Sequence, residues 1–323
     1  MSSHRLAVGV VVVNWNGWRD TLACLESLAR TAPGPRSVVV VDNGSTDGSV
    51  DTLTSWAATR AGLRVVILAA GANRGFSAAN NLGIAHLALD SGISHFLLLN
   101  NDATVAPTFF AELARALEQV PAAGLMGATI YEAGASGRVW YAGGHFLPVR
   151  SLVVHRRAVP PNAVAVPTDF VTGCTMLISR STWLTLGPLP ECYFLYMEDA
   201  EYSYRARAVG LPVVYAPRVV AYHAVGATVG RAVHRPQVEY WKARNRALFV
   251  RRNLLGWTKW AAVAYLVVTK PGRALVETLA GRPRLAWALV WGVISGLLSN
   301  EGNGDAGQAG AVQRPGNRIV RGK

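Results

Sequence analysis

The sequence predicts an α/β fold, in which helices flank a mainly parallel β-sheet, followed by a helical extension that associates with a membrane. Between residues 6 and 105, short runs rich in valine and leucine alternate with stretches of helical character. Uninterrupted apolar runs of this kind are typical of parallel strands covered on both faces. Polar residues follow each run, at the positions where a parallel sheet binds ligands. Tryptophan-rich apolar runs between residues 253 and 299 predict the extension.

Each of the first four predicted strands is followed by a polar segment. The strands are "LAVGVVVV", "SVVVVD", "LRVVILAA" and "HFLLLN", and the segments after them are "NWNG", "DNGSTDGS", "GANRGFSAANN" and "NNDAT". Because Asn and Asp are ordinary turn residues, one such segment indicates only a turn. Right-handed crossovers, however, bring all four strand ends to the same edge of a parallel sheet. The four segments together therefore predict a ligand site at that edge.

From Tyr131 onwards, the regular alternation of apolar strands and helical stretches ends. The segments are a hairpin with glycine turns, "YEAGASGRVWYAGGHFLPVRSLVVHRR", a strand that runs into a helix, "TDFVTGCTMLISRSTW", an acidic helix start, "MEDAE", and a last strand, "LPVVYAPRVVAYH". The helix is predicted to end at Gly210, since glycine favours the left-handed conformation after a helix. Acidic residues in a first turn are favoured by the helix dipole. That ordinary role explains Glu201 better than it explains the adjacent Glu198 and Asp199.

Length and charge together predict a catalytic domain with an appendage. The chain has 323 residues and a formal net charge of +13. Residues 1–200 carry 13 Lys and Arg against 14 Asp and Glu, whereas residues 201–323 carry 19 against 5, so the positive excess lies in the last part. We predict a catalytic domain over residues 1–230, a helical region over 231–300 and a disordered basic tail over 301–323. Three widely spaced cysteines without a CxxC pair indicate neither a disulfide framework nor a zinc cluster and suit a reducing cytosol.

The basic C-terminal part predicts an anionic partner. Its two apolar runs, "WTKWAAVAYLVV" and "RLAWALVWGVISGLL", are shorter than the roughly 18 to 20 residues that cross a bilayer. Tryptophan and basic flanks favour the membrane interface. The alternative is that both runs pack on the catalytic domain or on a second subunit of a homo-oligomer. Nucleic acid is not expected as a partner, because no recognisable nucleic-acid-binding motif accompanies the charge.

The order of these motifs resembles the family 2 inverting glycosyltransferases of the GT-A fold, in particular the bacterial rhamnosyltransferase-like branch. The matching segments, spread over roughly residues 6 to 250, are "VVVNWNG", "VVVDNGSTDGS", "NRGFSAANN", "LLLNNDATV", "FVTGCTMLISR", "YFLYMEDAEYSYRARAVGLPVVYAP" and "AYHAVG". The resemblance implies transfer of a sugar from a nucleotide-diphosphate donor to a lipid-linked or cell-envelope glycan acceptor. It also implies Mg²⁺ or Mn²⁺ as cofactor and a location at the cytoplasmic face of the bacterial inner membrane.

The resemblance assigns donor and metal roles to named residues. The residues implied to bind the donor nucleotide are Asn14, Asp42, Asn43, Ser45, Asn73, Arg74, Gly75, Asn80, Asn101 and Arg244. The family's acidic triplet appears here as Asn100, Asn101 and Asp102, so only Asp102 is charged. This departure leaves Asp102 as the implied metal ligand, with His223 as a second ligand. A histidine that ends a strand is otherwise most often structural. Imidazole coordination would make Mn²⁺ more plausible.

The resemblance also assigns the catalytic base. Inverting transfer is an in-line displacement, in which one base removes the proton of the acceptor hydroxyl. The family's base corresponds to Asp199, and Glu198 is assigned to acceptor binding or orientation. In the segment "YWKARNRALFVRRN", Arg244 is expected to reach a diphosphate. The remaining basic residues of that segment are expected to face water or lipid headgroups; they are Lys242, Arg246, Arg251 and Arg252.

The donor is left open between two nucleotide classes. Deoxythymidine diphosphate rhamnose is favoured by the resemblance alone, and UDP-linked sugars such as a galactofuranose or hexose donor are the alternative. A nucleotidyltransferase is disfavoured, because "NWNGW" lacks the glycine-rich basic loop expected for a triphosphate. A non-catalytic glycan-binding relative is a further alternative, although Asp102 and Asp199 are both retained.

Overall fold

The computed structural model describes residues 6–60, 62–134, 137–161, 164–224 and 236–299. The predicted tail, residues 301–323, lies outside the described residues. The strands are β1 Val8–Asn14, β2 Ser37–Asp42, β3 Val65–Ala69, β4 His95–Asn100, β5 Ala103–Val105, β6 Leu125–Glu132, β7 Val139–Tyr141, β8 Gly144–Leu147, β9 Leu152–His155, β10 Val166–Pro167, β11 Thr175–Ser179 and β12 Val213–His223. The helices are α1 Trp18–Ala29, α2 Ser49–Thr59, α3 Gly75–Leu87, α4 Phe109–Gln119, α5 Arg180–Leu186, α6 Glu198–Ala208, α7 Pro236–Asn253, α8 Gly256–Leu279 and α9 Pro283–Leu298.

A mixed, mainly parallel sheet forms the centre of the fold. The strand order is β10-β12-β6-β11-β4-β1-β2-β3, and β5 and β7 pair with β12 and β6. Strands β1 to β4 are parallel to one another, whereas β11 is antiparallel to β4 and β6. The valines of β1 and β2 are almost all buried, because helices cover both faces of the sheet. The predicted α/β class is confirmed.

The register of the sheet brings the predicted polar ends together. Asn14, at the end of β1, lies opposite Asp42 of β2, and Val13 lies opposite Asn100 of β4. On the other side of the sheet, the short strand β5 pairs with the end of β12, with His223 opposite Ala103. The two residues implied to bind metal, Asp102 and His223, are therefore neighbours, although 121 positions separate them in the sequence.

The turn before α6 has an unusual backbone. Tyr196 and Met197 both have positive φ, 72° and 78°, a conformation that is uncommon for residues other than glycine. Asn245 of α7 holds this turn, since its Nδ2 donates to the carbonyl oxygens of Leu195 at 2.8 Å and Tyr196 at 3.0 Å. Helix α6 therefore begins at Glu198 because a side chain of another helix fixes the preceding turn.

The C-terminal helices pack on the catalytic part of the chain. Leu248 and Phe249 of α7, Leu266 of α8 and Val293 of α9 belong to the same buried cluster as the valines of the sheet. Helices α7 and α9 approach closely at Gly296, where an added Cβ would lie 2.8 Å from the Ala247 Cβ. No helix within the described residues is long and apolar enough to cross a membrane. The boundary predicted near residue 230 and the membrane contact both stay predictions.

Two expectations about the basic residues of α7 are wrong. Arg246 does not face water, because its Nε donates to the Ser151 carbonyl at 2.9 Å. Arg252 pairs with the buried Glu201 carboxylate, from Nη2 to Oε1 at 3.2 Å. The reason is the same in both cases. Helix α7 is packed on the catalytic part, so these long side chains reach partners in earlier segments.

Candidate active site

A chain of hydrogen bonds joins the ends of β1, β2 and β4. Asn14 Nδ2 donates to Asp42 Oδ2 at 2.8 Å, and Thr21 Oγ1 donates to Asn14 Oδ1 at 2.7 Å. Asn101 Nδ2 then donates to Thr21 Oγ1 at 3.2 Å. Asn14, Thr21 and Asp42 are fully or almost fully buried. Three of the predicted donor-binding residues are thus fixed in one network, and Thr21 is a member that the sequence reasoning missed.

The loop after β2 is held by the same network. Ser45 N donates to Asp42 Oδ1 at 2.9 Å, and Asn14 Nδ2 also donates to Ser45 Oγ at 3.1 Å. Gly44 has a φ of 81°, and an added Cβ would lie 2.7 Å from the backbone of Ala72. Only glycine suits this close approach. The loops after β2 and β3 are therefore in direct contact.

Asn43 joins the second and third polar segments. Its Nδ2 donates to Asn73 Oδ1 at 3.0 Å, and the backbone N–H of Arg74 donates to Asn43 Oδ1 at 3.0 Å. The backbone N–H of Gly75 donates to Asn73 Oδ1 at 3.1 Å. Asn80 lies deeper in α3, is buried, and donates to the Phe76 carbonyl at 2.9 Å. Asn43, Asn73, Arg74 and Gly75 thus form one continuous edge of the site, with Asn80 behind it.

Asp102 and His223 form the candidate metal site. His223 Nε2 lies 3.0 Å from Asp102 Oδ1, and about nine-tenths of each side chain is buried. Apart from this contact, no hydrogen bond within the described residues satisfies Asp102 Oδ1, and none satisfies His223 Nδ1. Buried polar atoms are normally satisfied, so a carboxylate oxygen and an imidazole left in this state fit a divalent cation. No cluster of three or more His, Cys, Asp or Glu that could hold a metal occurs in the described ranges.

Two protein ligands are compatible with Mg²⁺ or Mn²⁺ in a site of this kind. Mg²⁺ commonly takes one or two carboxylates and completes its shell with water and substrate phosphates, while imidazole also suits transition metals. Asp20, in the first turn of α1, is close enough that burial and the charge of Asp102 raise its pKa. Sequence reasoning missed Asp20, because an acidic residue at a helix start has an ordinary explanation.

Asp199 has the surroundings expected of a base that remains available. Its Oδ2 accepts the backbone N–H of Gly173 at 2.9 Å, and its Oδ1 accepts that of Ala200 at 2.8 Å. Each oxygen keeps a further lone pair for a substrate proton. Burial raises the pKa of the carboxyl group, while the two N–H donors lower it. Asp199 is thereby a stronger base than an exposed carboxylate.

Glu198 differs from its neighbour. It is buried, and Oε2 has no hydrogen-bond partner among the described residues. Burial and then the charge of Asp199 raise the pKa of Glu198 well above its ordinary value. Two adjacent carboxyl groups avoid ionising together, so we expect Glu198 to carry the proton and Asp199 the charge. Direct contact of Glu198 with an acceptor stays a prediction.

A two-residue bridge joins Asp199, the candidate base, to the segment that leads to Asp102, the candidate metal ligand. The N–H of Gly173 donates to Asp199, and the carbonyl of Cys174 accepts the N–H of Asn100 at 3.0 Å. Asn100 lies two residues before Asp102. On the nucleotide side, the N–H of Phe76 donates to the Phe194 carbonyl at 3.0 Å, in the loop that leads to Glu198. The residues predicted to act as base, to bind metal and to bind the donor are therefore connected in one region of the structure.

Arg244 and Glu201 stabilise the same region from α7 and α6. Arg244 Nη1 donates to the Cys192 carbonyl and to Asn245 Oδ1, each at 2.9 Å. Arg244 is buried, and its contact with a diphosphate stays a prediction. Glu201 is also buried and accepts hydrogen bonds from Tyr193, Arg252 and Asn253. Its position in a first turn suggested only a dipole role, so this network was missed.

Sequence comparisons relate the chain to known glycosyltransferases. A sequence model described as glycosyl transferase family 2 matches residues 9–182. The N-acetylglucosaminyl-diphospho-decaprenol L-rhamnosyltransferase of Mycobacterium tuberculosis is 29% identical over 242 residues, which cover 69% of this chain and 77% of the relative. The dTDP-rhamnosyl transferase RfbF of Shigella flexneri is 22% identical over 226 residues, which cover 67% of this chain and 71% of the relative.

A similar fold occurs in a solved structure. The mannosyltransferase PcManGT of Pyrobaculum calidifontis, in complex with GDP-Man and Mn²⁺, has a TM-score of 0.57 and 18% sequence identity, and the match covers 92% of this chain and 89% of that one. At this identity the likeness shows the fold alone, a GT-A-like α/β fold. Because the family model covers more than half of the chain, the protein belongs to glycosyl transferase family 2.

Proposed function

We propose that the protein moves L-rhamnose from dTDP-rhamnose to a lipid-linked glycan acceptor, with inversion at the anomeric carbon and with Mg²⁺ or Mn²⁺ as cofactor. The observation that carries the proposal is the bridge of Gly173 and Cys174, which joins Asp199 to the segment that ends in Asp102. A base and a metal pair on one edge are what a displacement of a nucleotide diphosphate requires. The names of the two rhamnosyltransferase relatives favour rhamnose.

Asp199 performs the proton transfer in this mechanism. The acceptor hydroxyl gives its proton to the Asp199 carboxylate, and its oxygen forms a bond to the anomeric carbon of the sugar. The bond from that carbon to the diphosphate oxygen breaks, and its electron pair leaves with the nucleoside diphosphate. The N–H groups of Gly173 and Ala200 hold the carboxylate in position throughout. A protonated Glu198 next to it keeps a second negative charge away from the base.

Asp102 and His223 would hold the cation beside the donor. When bound, a divalent cation neutralises the charge that grows on the departing diphosphate. The hydrogen-bonded edge of Asn14, Asp42 and Asn43 would receive the nucleoside. Its amide and carboxylate groups suit the hydroxyl and N–H groups of a ribose or deoxyribose and its base.

The location proposed for the enzyme is the cytoplasmic face of the bacterial inner membrane, as a peripheral protein. Helices α8 and α9 carry large apolar side chains that are exposed, including Trp257 at 75%, Trp260 at 71% and Trp287 at 67%. Tryptophan is enriched at membrane interfaces, and apolar patches of this extent on a protein surface usually meet a partner. Arg282 and Arg284 beside them suit anionic lipid headgroups.

A donor screen tests the proposal. The purified protein is incubated with Mn²⁺ or Mg²⁺ and with dTDP-rhamnose, UDP-galactofuranose or UDP-glucose, and release of the nucleoside diphosphate is measured with and without a polyprenyl-diphosphate-linked sugar. We expect metal-dependent release from dTDP-rhamnose that the acceptor accelerates. Release from a UDP-sugar alone would replace the donor assignment. No release from any donor would refute the enzymatic function.

A further inference from the structure

Helix α8 has an inverted distribution of polar and apolar residues. Its buried stripe follows a spacing of four residues through Ala262, Leu266, Lys270 and Ala274. The opposite face exposes large apolar side chains, which include Trp260, Val267, Val268, Leu275, Val276 and Leu279. A helix of a water-soluble surface normally shows the reverse arrangement. The inner face of α8 therefore holds a charge where an apolar residue would pack better.

Lys270 has no hydrogen bond or ion pair with any residue in the described ranges, although it is only 7% exposed. Three other cations lie close enough to lower the pKa of Lys270: Lys242 and Arg246 of α7 and Arg273 of α8. Burial, followed by Arg246 and Arg273, lowers the pKa of Lys270 to about 8. Burying most of a charged lysine side chain is costly unless an opposite charge compensates it. We refer to Lys242, Arg246, Lys270 and Arg273 as the cation cluster.

The cation cluster has too few acidic residues to balance it. Glu239 pairs with Lys242 at 3.2 Å and with Arg273 at 3.4 Å. Glu277 lies 3.7 Å from Arg273, and Arg282 offsets its charge at 2.7 Å. Within the described residues, Glu239 is therefore the one carboxylate that balances the four cations of the cluster without also pairing with a cation outside it. An excess of three positive charges remains between α7 and α8, where the side chains of Lys242 and Arg273 are 38% and 43% exposed.

The cation cluster lies beside the catalytic acids. Lys242 Nζ lies 5.5 Å from the centre of the Tyr196 ring, and Tyr196 precedes Glu198 by two residues. Burial is the largest cause of the raised pKa of Tyr196, and the charges of Glu198 and Glu239 raise it further. One tyrosine ring thus separates the excess positive charge from the helix that carries Asp199.

We propose that the cation cluster binds the diphosphate of the lipid-linked acceptor, an inference that rests on the function proposed above. In such an acceptor the sugar is joined directly to the diphosphate, so an anion held at Lys242 and Lys270 brings the sugar hydroxyls towards Asp199. The apolar chain on the other side of the diphosphate extends along the exposed outer face of α8. Lys270 is then paired by the ligand, which explains why it has no hydrogen bond or ion pair with the residues that the structure describes.

The test compares ligand binding to the full chain and to a Lys270→Met variant. Farnesyl diphosphate, inorganic pyrophosphate and farnesol are titrated by calorimetry in the presence of saturating dTDP and Mg²⁺, which fill the donor site. We expect farnesyl diphosphate to bind the parent more tightly than pyrophosphate does, and farnesol not to bind. Loss of one charged partner should weaken farnesyl diphosphate binding in Lys270→Met by about 10- to 100-fold.

Matched variants separate a specific site from general charge. Lys259→Met removes a cation from the same helix, outside the cation cluster, and should bind farnesyl diphosphate as the parent does. Lys242→Gln changes a less buried member of the cluster and should also weaken binding, which tests the cluster independently of Lys270. Circular dichroism checks folding. Lys270→Arg keeps the charge and should recover part of the affinity.

Three outcomes would overturn the inference. Equal affinity for pyrophosphate and farnesyl diphosphate would make the cluster a site for a soluble anion. If Lys259→Met and Lys270→Met lost affinity for farnesyl diphosphate equally, the attraction would be unspecific. The same would follow if both variants lost binding to phosphatidylglycerol vesicles to the same extent. Parental affinity in Lys270→Met and Lys242→Gln would place the acceptor elsewhere. In each case, transfer by the parent protein would leave the proposed function standing, whereas absence of transfer by the parent would refute that function itself.

Discussion

Replacing Lys270 by methionine should stabilise the protein, and the gain should shrink as the pH rises. In the folded protein, burial and neighbouring cations hold the pKa of Lys270 at about 8, against an ordinary value of 10.5. Between these values the unfolded chain binds more protons than the folded one, so the free energy of unfolding rises with pH. Below pH 8 both states are protonated, and the folded state carries the full cost of burying the charge.

The size of this cost follows from the two pKa values. At about 1.4 kcal/mol per pH unit, their separation corresponds to about 3 kcal/mol at pH 7, and to about 1 kcal/mol at pH 10. Methionine has no charge and fills a similar volume within the buried stripe of α8. Replacing a buried charge by an apolar residue of similar size is often stabilising. We therefore expect Lys270→Met to raise the free energy of unfolding by about 3 kcal/mol at pH 7.

Urea unfolding of both proteins at pH 7 and pH 10 measures the effect. Taking the difference between variant and parent at each pH removes the titration of the other groups that the two proteins share. The groups that face Lys270 are the same in both proteins; they are Lys242, Arg246, Arg273 and Glu239. A Lys270→Met variant that is less stable than the parent at pH 7, or a difference that does not change with pH, would show that Lys270 is compensated in the folded state.

Four further changes test the site and its surroundings. Asp102→Ala should lose stimulation by Mn²⁺, because the buried metal pair is broken; a titration showing equal stimulation of variant and parent would refute the metal assignment. Asp199→Asn should keep nucleotide affinity but lower kcat by about 10² to 10⁴; a near-parental kcat would point to another base. Glu201→Ala should lower the free energy of unfolding by about 3 to 5 kcal/mol, because the buried ion pair with Arg252 is broken and Tyr193 and Asn253 lose their acceptor; an unchanged urea midpoint would contradict this. The double change Trp257→Ser and Trp260→Ser should reduce co-sedimentation with anionic vesicles; equal sedimentation would place the membrane contact elsewhere.

Much of the sheet could be predicted, because its strands carry a local signal. The valine runs of β1 and β2 and the leucines of β4 are buried on both faces, as parallel strands of this class require. Strand β6 was missed for a physical reason. It lies in the middle of the sheet but contains Gly127, where an added Cβ would lie 3.0 Å from the Val171 side chain. Close packing favours a glycine there, although glycine weakens the strand signal in the sequence.

The roles within the site depended on contacts that no local pattern reveals. The approach of His223 to Asp102 results from the pairing of β5 with β12, and β5 is only three residues long. Family resemblance pointed to both residues, whereas periodicity could not. Two of the partners of Glu201, Arg252 and Asn253, come from α7, about 50 positions further along the chain. Similarly, Lys270 reads as one of several basic residues that flank an apolar run, and only the packing of α8 shows that it is buried.

Helix α7 connects the catalytic residues with the C-terminal helices. On one side, Asn245 fixes the strained turn at Tyr196 and Met197, which sets the start of α6 and so the position of Asp199. On the other side, α7 packs against α9 so closely that a Cβ at Gly296 would lie 2.8 Å from the Ala247 Cβ. Interiors packed at this density transmit displacements rather than absorb them. Removing α8 and α9 would therefore expose the face of α7 that supports the turn before α6. The apolar helices thus help to position Asp199, the proposed base, and also form the surface proposed to meet the membrane.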